Sequence, residues 1–196
     1  MARNTEPVLK RCRSLGIDPS ELGFNKKYNK KGQQKRRKVQ GYGLQLREKQ
    51  KVKFIYGVLE KQFLNYYEKA ERMRGITGEN MLILLERRLD NVVFRMKIAK
   101  TRPMARQIVN HGLITVNGKR VNIPSYLVKK GDVIAIAENK KDKPIFTIVK
   151  EVPALGLPGW LTFDNQTLSG QVVELPIRDD IKEDIKEHLI VELYSK

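Results

Sequence analysis

An amphipathic segment from 82 to 96 and a polar helix after it, both leading into an Asn-Gly turn, constrain this chain most. In the first segment apolar residues recur every three or four positions, which predicts a helix that buries one stripe. The stripe comprises Leu82, Leu85, Leu89, Val92, Val93 and Met96. Its periodicity leaves Arg88, Asn91 and Arg95 off the stripe, so we expect these three side chains to turn outward.

A second short helix is predicted after position 101. Thr101 can cap its amide groups, Pro103 fits its first turn, and Gly112 stands just past its end. The inward face is predicted to hold Ala105, Ile108 and Val109, and the other face Arg102, Arg106 and Asn110. Two helix faces that carry arginine would then approach one ligand. The planar guanidinium gives paired, charge-assisted bonds to phosphate.

A β-hairpin is predicted next. Residues 113–116 form the first strand, and Asn117-Gly118 supplies the two positive-φ residues of a two-residue turn. Lys119 and Arg120 begin the return strand. Lys129 and Lys130 open another turn, before a strand at 133–136. These four cations extend the predicted phosphate-binding surface.

The charge of the whole chain agrees with a polyanionic partner. Lys and Arg number 39 against 22 Asp and Glu, a formal net charge of +17 in 196 residues. Such a chain attracts nucleic acid. We expect no membrane partner and a cytoplasmic location, because the sequence has neither an apolar run of membrane-spanning length nor the apolar stretch of a signal peptide.

A basic arm precedes the first long helix. Residues 24–43 offer almost nothing to bury, so we expect this segment to be disordered alone and ordered on RNA. The plainer alternative is a solvated arm with no specific role. The arm's candidate RNA-binding residues are Lys26, Lys27, Lys30, Lys31, Lys35, Arg36, Arg37 and Lys38.

One long helix is predicted from 44 to 73, because apolar residues recur along it at steps of three or four. Arg47, Lys51 and Arg72 lie off its apolar stripe and are candidate phosphate contacts. Charged residues on a long helix more often form a solvated face, which is the alternative for these three.

Catalysis and metal binding find no support in the sequence. Cys12 is the single cysteine, and His111 and His188 lie far from it, so zinc-ligand spacing is missing. We expect no metal, no cofactor and no small-molecule substrate. An enzyme that carries this RNA-binding segment as an accessory is the rival class, but no phosphate loop and no nucleophile with a base accompany it. A stress-related or tRNA-handling binding module that acts on stalled large ribosomal subunits is a third alternative.

The order of motifs resembles a small RNA-binding module that several RNA-handling proteins share. Arg-Leu-Asp-Asn, Thr-Arg, Ala-Arg-Gln, His-Gly, Val-Asn-Gly and Lys-Lys-Gly-Asp follow one another, and the resemblance covers about 86–148. The flanks at 42–52, 55–60, 77–80, 158–161 and 188–196 resemble the family of bacterial small-subunit ribosomal protein four. Some members hold zinc with four cysteines near the N-terminus. This chain has only Cys12 there and resembles the zinc-free branch.

The resemblance implies an α+β fold in which a mostly helical, discontinuous domain carries an inserted module of two helices and a β-hairpin. Residues 1–43 would form N-terminal helices and the basic arm, 44–85 with 149–196 the helical domain, and 86–148 the RNA-binding module. It also implies a structural protein of the small ribosomal subunit, and no enzyme. This protein would bind 16S rRNA as a primary assembly protein and nucleate the subunit body. It would also contact small-subunit ribosomal protein five and other neighbours, influence translational accuracy, and lie where messenger RNA enters the subunit.

Overall fold

A computed structural model describes residues 7–24, 41–151 and 156–195. The α-helices are α1 Val8–Leu15, α2 Tyr42–Tyr56, α3 Glu60–Glu71, α4 Thr77–Glu86, α5 Leu89–Arg95, α6 Arg102–Asn110, α7 Pro144–Glu151 and α8 Glu187–Tyr194. The strands are β1 Ile114–Val116, β2 Lys119–Arg120, β3 Val133–Ile136, β4 Leu161–Asp164 and β5 Ser169–Val172. The predicted α+β class is confirmed. Among the helices described, none has the length and apolarity needed to cross a membrane.

The chain divides into two compact units. The first comprises Met1–Met81 and Glu183–Lys196, and the second comprises Leu82–Lys182. In the first unit α1 ends at Gly16, whose φ of 77° is the left-handed conformation typical of a helix C-terminus. Helix α8 returns to pack against α2 in the same unit.

The predicted single helix from 44 to 73 is wrong, because the chain breaks between α2 and α3. Gly57 has φ 62°, and Leu59 is extended with ψ 161°. The periodic stripe concealed the break because Val52 and Phe63, on either side of it, are both fully buried. Leu59 is 43% exposed, so the stripe is interrupted where the helix is.

One carboxylate, that of Glu60 on α3, binds helix α8 within the first unit. Glu60 accepts hydrogen bonds from Lys49 Nζ at 2.8 Å, Lys53 Nζ at 2.6 Å and the Tyr194 hydroxyl at 2.9 Å. Desolvation opposes ionisation of Glu60, but these bonds outweigh it and lower its pKa to about 2. The Tyr194 ring packs 4.6 Å from the Tyr67 ring, so the contact is both polar and aromatic.

The predicted first helix of the RNA-binding module is also divided. Arg88 is extended, with ψ 135°, and separates α4 from α5. The break is stabilised by backbone bonds to a neighbouring segment: Leu89 N donates to Tyr126 O at 2.8 Å, and Val128 N donates to Arg87 O at 2.9 Å. The whole apolar stripe is nevertheless buried as predicted. Periodicity alone does not detect the break, since the bonds that cause it come from a distant segment.

Antiparallel strands form a five-stranded sheet in the described part of the second unit, in the order β2-β1-β3-β5-β4. The predicted hairpin is confirmed, with φ 50° at Asn117 and 76° at Gly118. Strands β4 and β5 were not anticipated. They lie within 149–196, which the resemblance places in the helical domain, yet β5 pairs with β3 in this sheet. The core of the unit joins sheet residues such as Ile134 to α5 and α6.

Candidate nucleic-acid interface

An ion-paired arginine cluster lies on α5 and α6. The Asp90 carboxylate accepts two hydrogen bonds from Arg88, from Nε at 3.0 Å and from Nη2 at 2.8 Å. The same carboxylate also accepts hydrogen bonds from Arg106, from Nε at 2.9 Å and from Nη2 at 2.7 Å. One buried carboxylate therefore orients two guanidinium groups, one from the break before α5 and one from α6.

A second carboxylate orients the other half of the cluster. Glu86 is only 2% exposed, and its carboxylate accepts hydrogen bonds from Arg95 Nε at 3.0 Å and from Arg95 Nη2 at 2.6 Å. It also accepts a hydrogen bond from Asn91 Nδ2 at 2.7 Å. Asn91 Oδ1 in turn accepts a hydrogen bond from Arg102 Nε at 2.8 Å. The Arg102 guanidinium lies 4.4 Å from the centroid of the Phe94 ring. Four arginines against two carboxylates leave the cluster positively charged.

The expectation that Arg88, Asn91 and Arg95 turn outward is wrong for the first two. Arg88 is 5% exposed and Asn91 2%, and Arg102, which we placed on an open face of α6, is 5% exposed. The Arg95 and Arg106 side chains keep 16% and 21% of their surface accessible. The reason is the pairing itself, because Glu86 and Asp90 hold the guanidinium groups against the protein.

Helix α6 otherwise matches its prediction. The Thr101 hydroxyl accepts the Met104 amide at 3.3 Å, and Pro103 stands in the first turn. The predicted inward residues Ala105, Ile108 and Val109 are buried, and Asn110 is exposed.

The two predicted turns are tied together at one end of the sheet. Asn117 Nδ2 donates to Asp132 Oδ1 at 2.9 Å, and the Lys129 amide donates to Asp132 Oδ2 at 2.7 Å. The backbone amide of Asn117 also bonds to Val133 O at 2.8 Å. Asp132 is itself buried. These bonds bring the hairpin turn and the turn after Lys129 side by side.

We use the name turn surface for Lys119, Arg120, Lys129 and Lys130, which are all exposed on these turns and the strand β2. Arg120 Nη2 donates to the backbone oxygen of His111, at the end of α6, at 3.1 Å. Lys130 Nζ lies 3.5 Å from a Glu174 carboxylate oxygen, and both side chains are well solvated. The turn surface thus presents cations to solvent, whereas the arginine cluster holds them in ion pairs.

Gly112 allows Arg120 to lie in this place. Its φ is 60°, and a Cβ on it would overlap the Arg120 guanidinium. His111 is the C-terminal cap of α6 and is exposed.

In the first unit the predicted contacts have different surroundings. Arg72 is exposed at the end of α3, and Arg47 is half-buried. Lys51 is 8% exposed and donates to the backbone oxygen of Asp184, so its position off the apolar stripe does not leave it open to solvent. The predicted contacts of the basic arm, Lys26 to Lys38, lie outside the described residues.

Sequence reasoning missed the two carboxylates that organise the cluster. Glu86 and Asp90 stand on either side of Arg87-Arg88 in the sequence. Acidic residues next to arginines, within a segment whose apolar residues are buried, are the signal that indicates ion pairing. Along 7–24, 41–151 and 156–195 there is no group of three His, Cys, Asp or Glu side chains arranged to hold a metal ion.

Two protein families match adjoining parts of the chain. Residues 3–86 match the family described as Ribosomal protein S4/S9 N-terminal domain, and residues 87–134 match the S4 domain. The second match contains α5, α6 and the hairpin, and therefore most of the arginine cluster and the turn surface.

Several curated proteins are similar over their full length. The chain is 57% identical to the small ribosomal subunit protein uS4 of Agathobacter rectalis and 57% identical to that of Lachnospira eligens. It is 50% identical to the small ribosomal subunit protein uS4 of Fusobacterium nucleatum. In each comparison all of this chain and all of the relative are covered.

Proposed function

This chain belongs to the family of small ribosomal subunit protein uS4, and on that premise we propose that it binds 16S rRNA directly and nucleates assembly of the subunit body. Its role is structural: it is a component of the small ribosomal subunit. The observation that carries the binding proposal is the turn surface, whose four exposed cations lie on and beside two turns that the bonds of Asp132 hold together.

The proposed contacts divide by exposure. Lys119, Arg120, Lys129 and Lys130 reach RNA phosphates directly, with Arg95, Arg106 and Asn110 at the accessible side of the cluster. Buried Arg88 and Arg102 contribute charge, and buried Asn91 holds Arg102 in position. The basic arm and the exposed Arg72 supply further phosphate contacts. Recognition depends on RNA shape, because side chains cannot read the deep, narrow major groove of A-form RNA.

The partners follow from the same premise. We propose contacts with small-subunit ribosomal protein five and other neighbouring proteins, a position where messenger RNA enters the subunit, and through these an influence on translational accuracy. The family supports this proposal, as does the division of the chain into two compact units that can meet different partners. The fractionation that tests the location is sedimentation: the protein should travel with small subunits, and travelling with large subunits would contradict the proposal.

Direct binding is tested with the full chain and a 16S rRNA transcript. The association constant should fall linearly with salt on logarithmic axes, with a slope that scales with the phosphates neutralised. The double variant Lys119→Gln with Arg120→Gln should reduce the magnitude of the slope by about two, since each lost cation reduces it by about one. The matched control is Lys143→Gln, an exposed lysine elsewhere in the second unit. A salt-independent association constant would refute the electrostatic mechanism.

The role as a primary assembly protein is tested by order of addition. The protein should bind naked 16S rRNA and raise the later binding of other small-subunit proteins. A strict requirement for another protein to be bound first would contradict a primary role, even if binding itself were tight.

A further inference from the structure

Lys97 has a backbone conformation that its residue type does not favour. It follows α5 and the helix cap Met96, with φ 63°, and its amide donates to Phe94 O at 3.0 Å. Glycine adopts this left-handed region freely, whereas an L-residue does so at an energetic cost. Such strain persists where the surroundings enforce it, and it concentrates at functional sites. The lysine side chain at this position is therefore a candidate for a function.

The Lys97 side chain meets a second cation on one aromatic ring. Its Nζ lies 6.0 Å from the centroid of Phe94, and the Arg102 guanidinium carbon lies 4.4 Å from the same centroid. Lys97 is exposed, whereas Phe94 and Arg102 are buried. The ring thus supports one buried and one accessible positive charge, and only the accessible one is in a position to contact a large ligand.

The charges around Lys97 repel one another in the free protein. Partial desolvation by the surrounding protein lowers the pKa of the Lys97 ammonium, and the charges of Arg95, Arg102 and Lys182 lower it further. Arg102 is held in place by Asn91, so it cannot relax away from Lys97 without breaking a buried hydrogen bond. Repulsion of this kind is relieved when an anion binds beside the accessible cation.

We propose that Lys97 is a phosphate ligand for the RNA backbone, with Phe94 and Arg102, which contacts the same ring, acting as positioning residues. The inference rests on the proposed RNA-binding function and adds a site that lies apart in sequence from the turn surface. An RNA phosphate fits this site because an exposed ammonium that shares one aromatic ring with a fixed guanidinium favours a compact, fully ionised anion.

The test separates the backbone strain from the charge. With the full chain and a 16S rRNA transcript, Lys97→Gly is expected to unfold at a higher denaturant concentration, because glycine relieves the positive φ. The same variant should bind RNA about three- to tenfold more weakly, with a salt slope reduced by about 0.9. Lys97→Gln should lose affinity equally, and Lys97→Arg should retain the slope of the unchanged protein.

One control variant and one mapping experiment make the outcome decisive. Lys143→Gln removes an exposed lysine of the same unit and should leave the slope unchanged; an equal loss there would overturn a specific site. Phosphate-ethylation interference should lose its signal at one position on the RNA when Lys97→Gln replaces the unchanged protein. If Lys97→Gly and Lys97→Gln bind with unaltered affinity and slope, the inference fails while the proposed function stands. If the unchanged protein does not bind 16S rRNA, the proposed function fails first.

Discussion

The carboxylate of Asp90 on α5 binds the guanidinium of Arg106 on α6, with Nη2 2.7 Å from Oδ2. The same carboxylate binds Arg88, so two arginines are oriented before any ligand arrives. Orienting a long side chain in the free protein reduces the conformational entropy that is lost on binding. The ion pairs therefore place the accessible part of the Arg106 side chain in a defined direction on α6.

Replacing Asp90 with Asn should destabilise the second unit by about 3 kcal/mol, since it removes the carboxylate charge that is paired with the buried Arg88 guanidinium. The free energy of unfolding from urea titration measures this loss. The matched control is Asp142→Asn, an exposed carboxylate in the same unit, which should change stability by no more than about 0.5 kcal/mol. Equal effects of the two substitutions would show that the Asp90 ion pairs contribute no net stability.

The two arginines of α6 should differ sharply in their structural weight. Arg102→Ala removes the bond to Asn91 and the contact with Phe94, at a cost of about 2 kcal/mol of unfolding free energy. Arg106→Ala should cost about 1 kcal/mol or less, because its side chain is 21% exposed and Arg88 still neutralises Asp90. Urea titrations of the two single variants compare them directly. A larger loss for Arg106→Ala would contradict the burial argument.

The local features of the fold could be predicted from the sequence because local chemistry determines them. Asn117-Gly118 is enough to specify a hairpin turn, and Thr101 with Pro103 is enough to start a helix. The break at Arg88 and the pairing of β5 with β3 depend on partners far along the chain. Such contacts leave no periodic signal in the segment that they alter.

The candidate site was predicted as to residue type but not as to geometry. The turn surface is exposed as expected, because residues at turns face solvent. The arginines of α5 and α6 were expected on open faces, and Arg88 and Arg102 are buried instead. Periodicity separates apolar from polar positions. It does not show that an ion pair with a neighbouring acid will keep an arginine side chain buried.

The attachment of α8 through Glu60 should weaken in acid. The pKa of Glu60 in the folded protein is about 2, below the ordinary value of 4.5. The stabilisation is therefore complete above about pH 4.5 and is lost as the pH falls towards 2. Glu60→Gln should lower the melting temperature by about 2 °C at pH 7, a modest figure because the side chain is half exposed, and the difference should shrink below pH 4.

Scanning calorimetry from pH 7 to pH 2.5 follows this difference between the unchanged protein and Glu60→Gln. The matched control is Glu68→Gln, an exposed acid on the same helix α3, which should show no comparable change with pH. A melting-temperature difference that stayed constant from pH 7 to pH 2.5 would show that the carboxylate charge is not what holds α8.

Gly112 and Gly118 provide a matched pair for testing the position of Arg120. Both have positive φ, 60° and 76°, so alanine at either should cost about 1 kcal/mol of unfolding free energy through the backbone. A Cβ at Gly112 would also overlap the Arg120 guanidinium, whereas a Cβ at Gly118 meets no atom within 4 Å. Gly112→Ala should therefore displace Arg120 and weaken binding to a 16S rRNA transcript several-fold. Gly118→Ala should bind almost as tightly as the unchanged protein. Parallel urea and filter-binding titrations separate the two effects, and equal affinities for the two variants would show that the position of Arg120 against α6 is not used in binding.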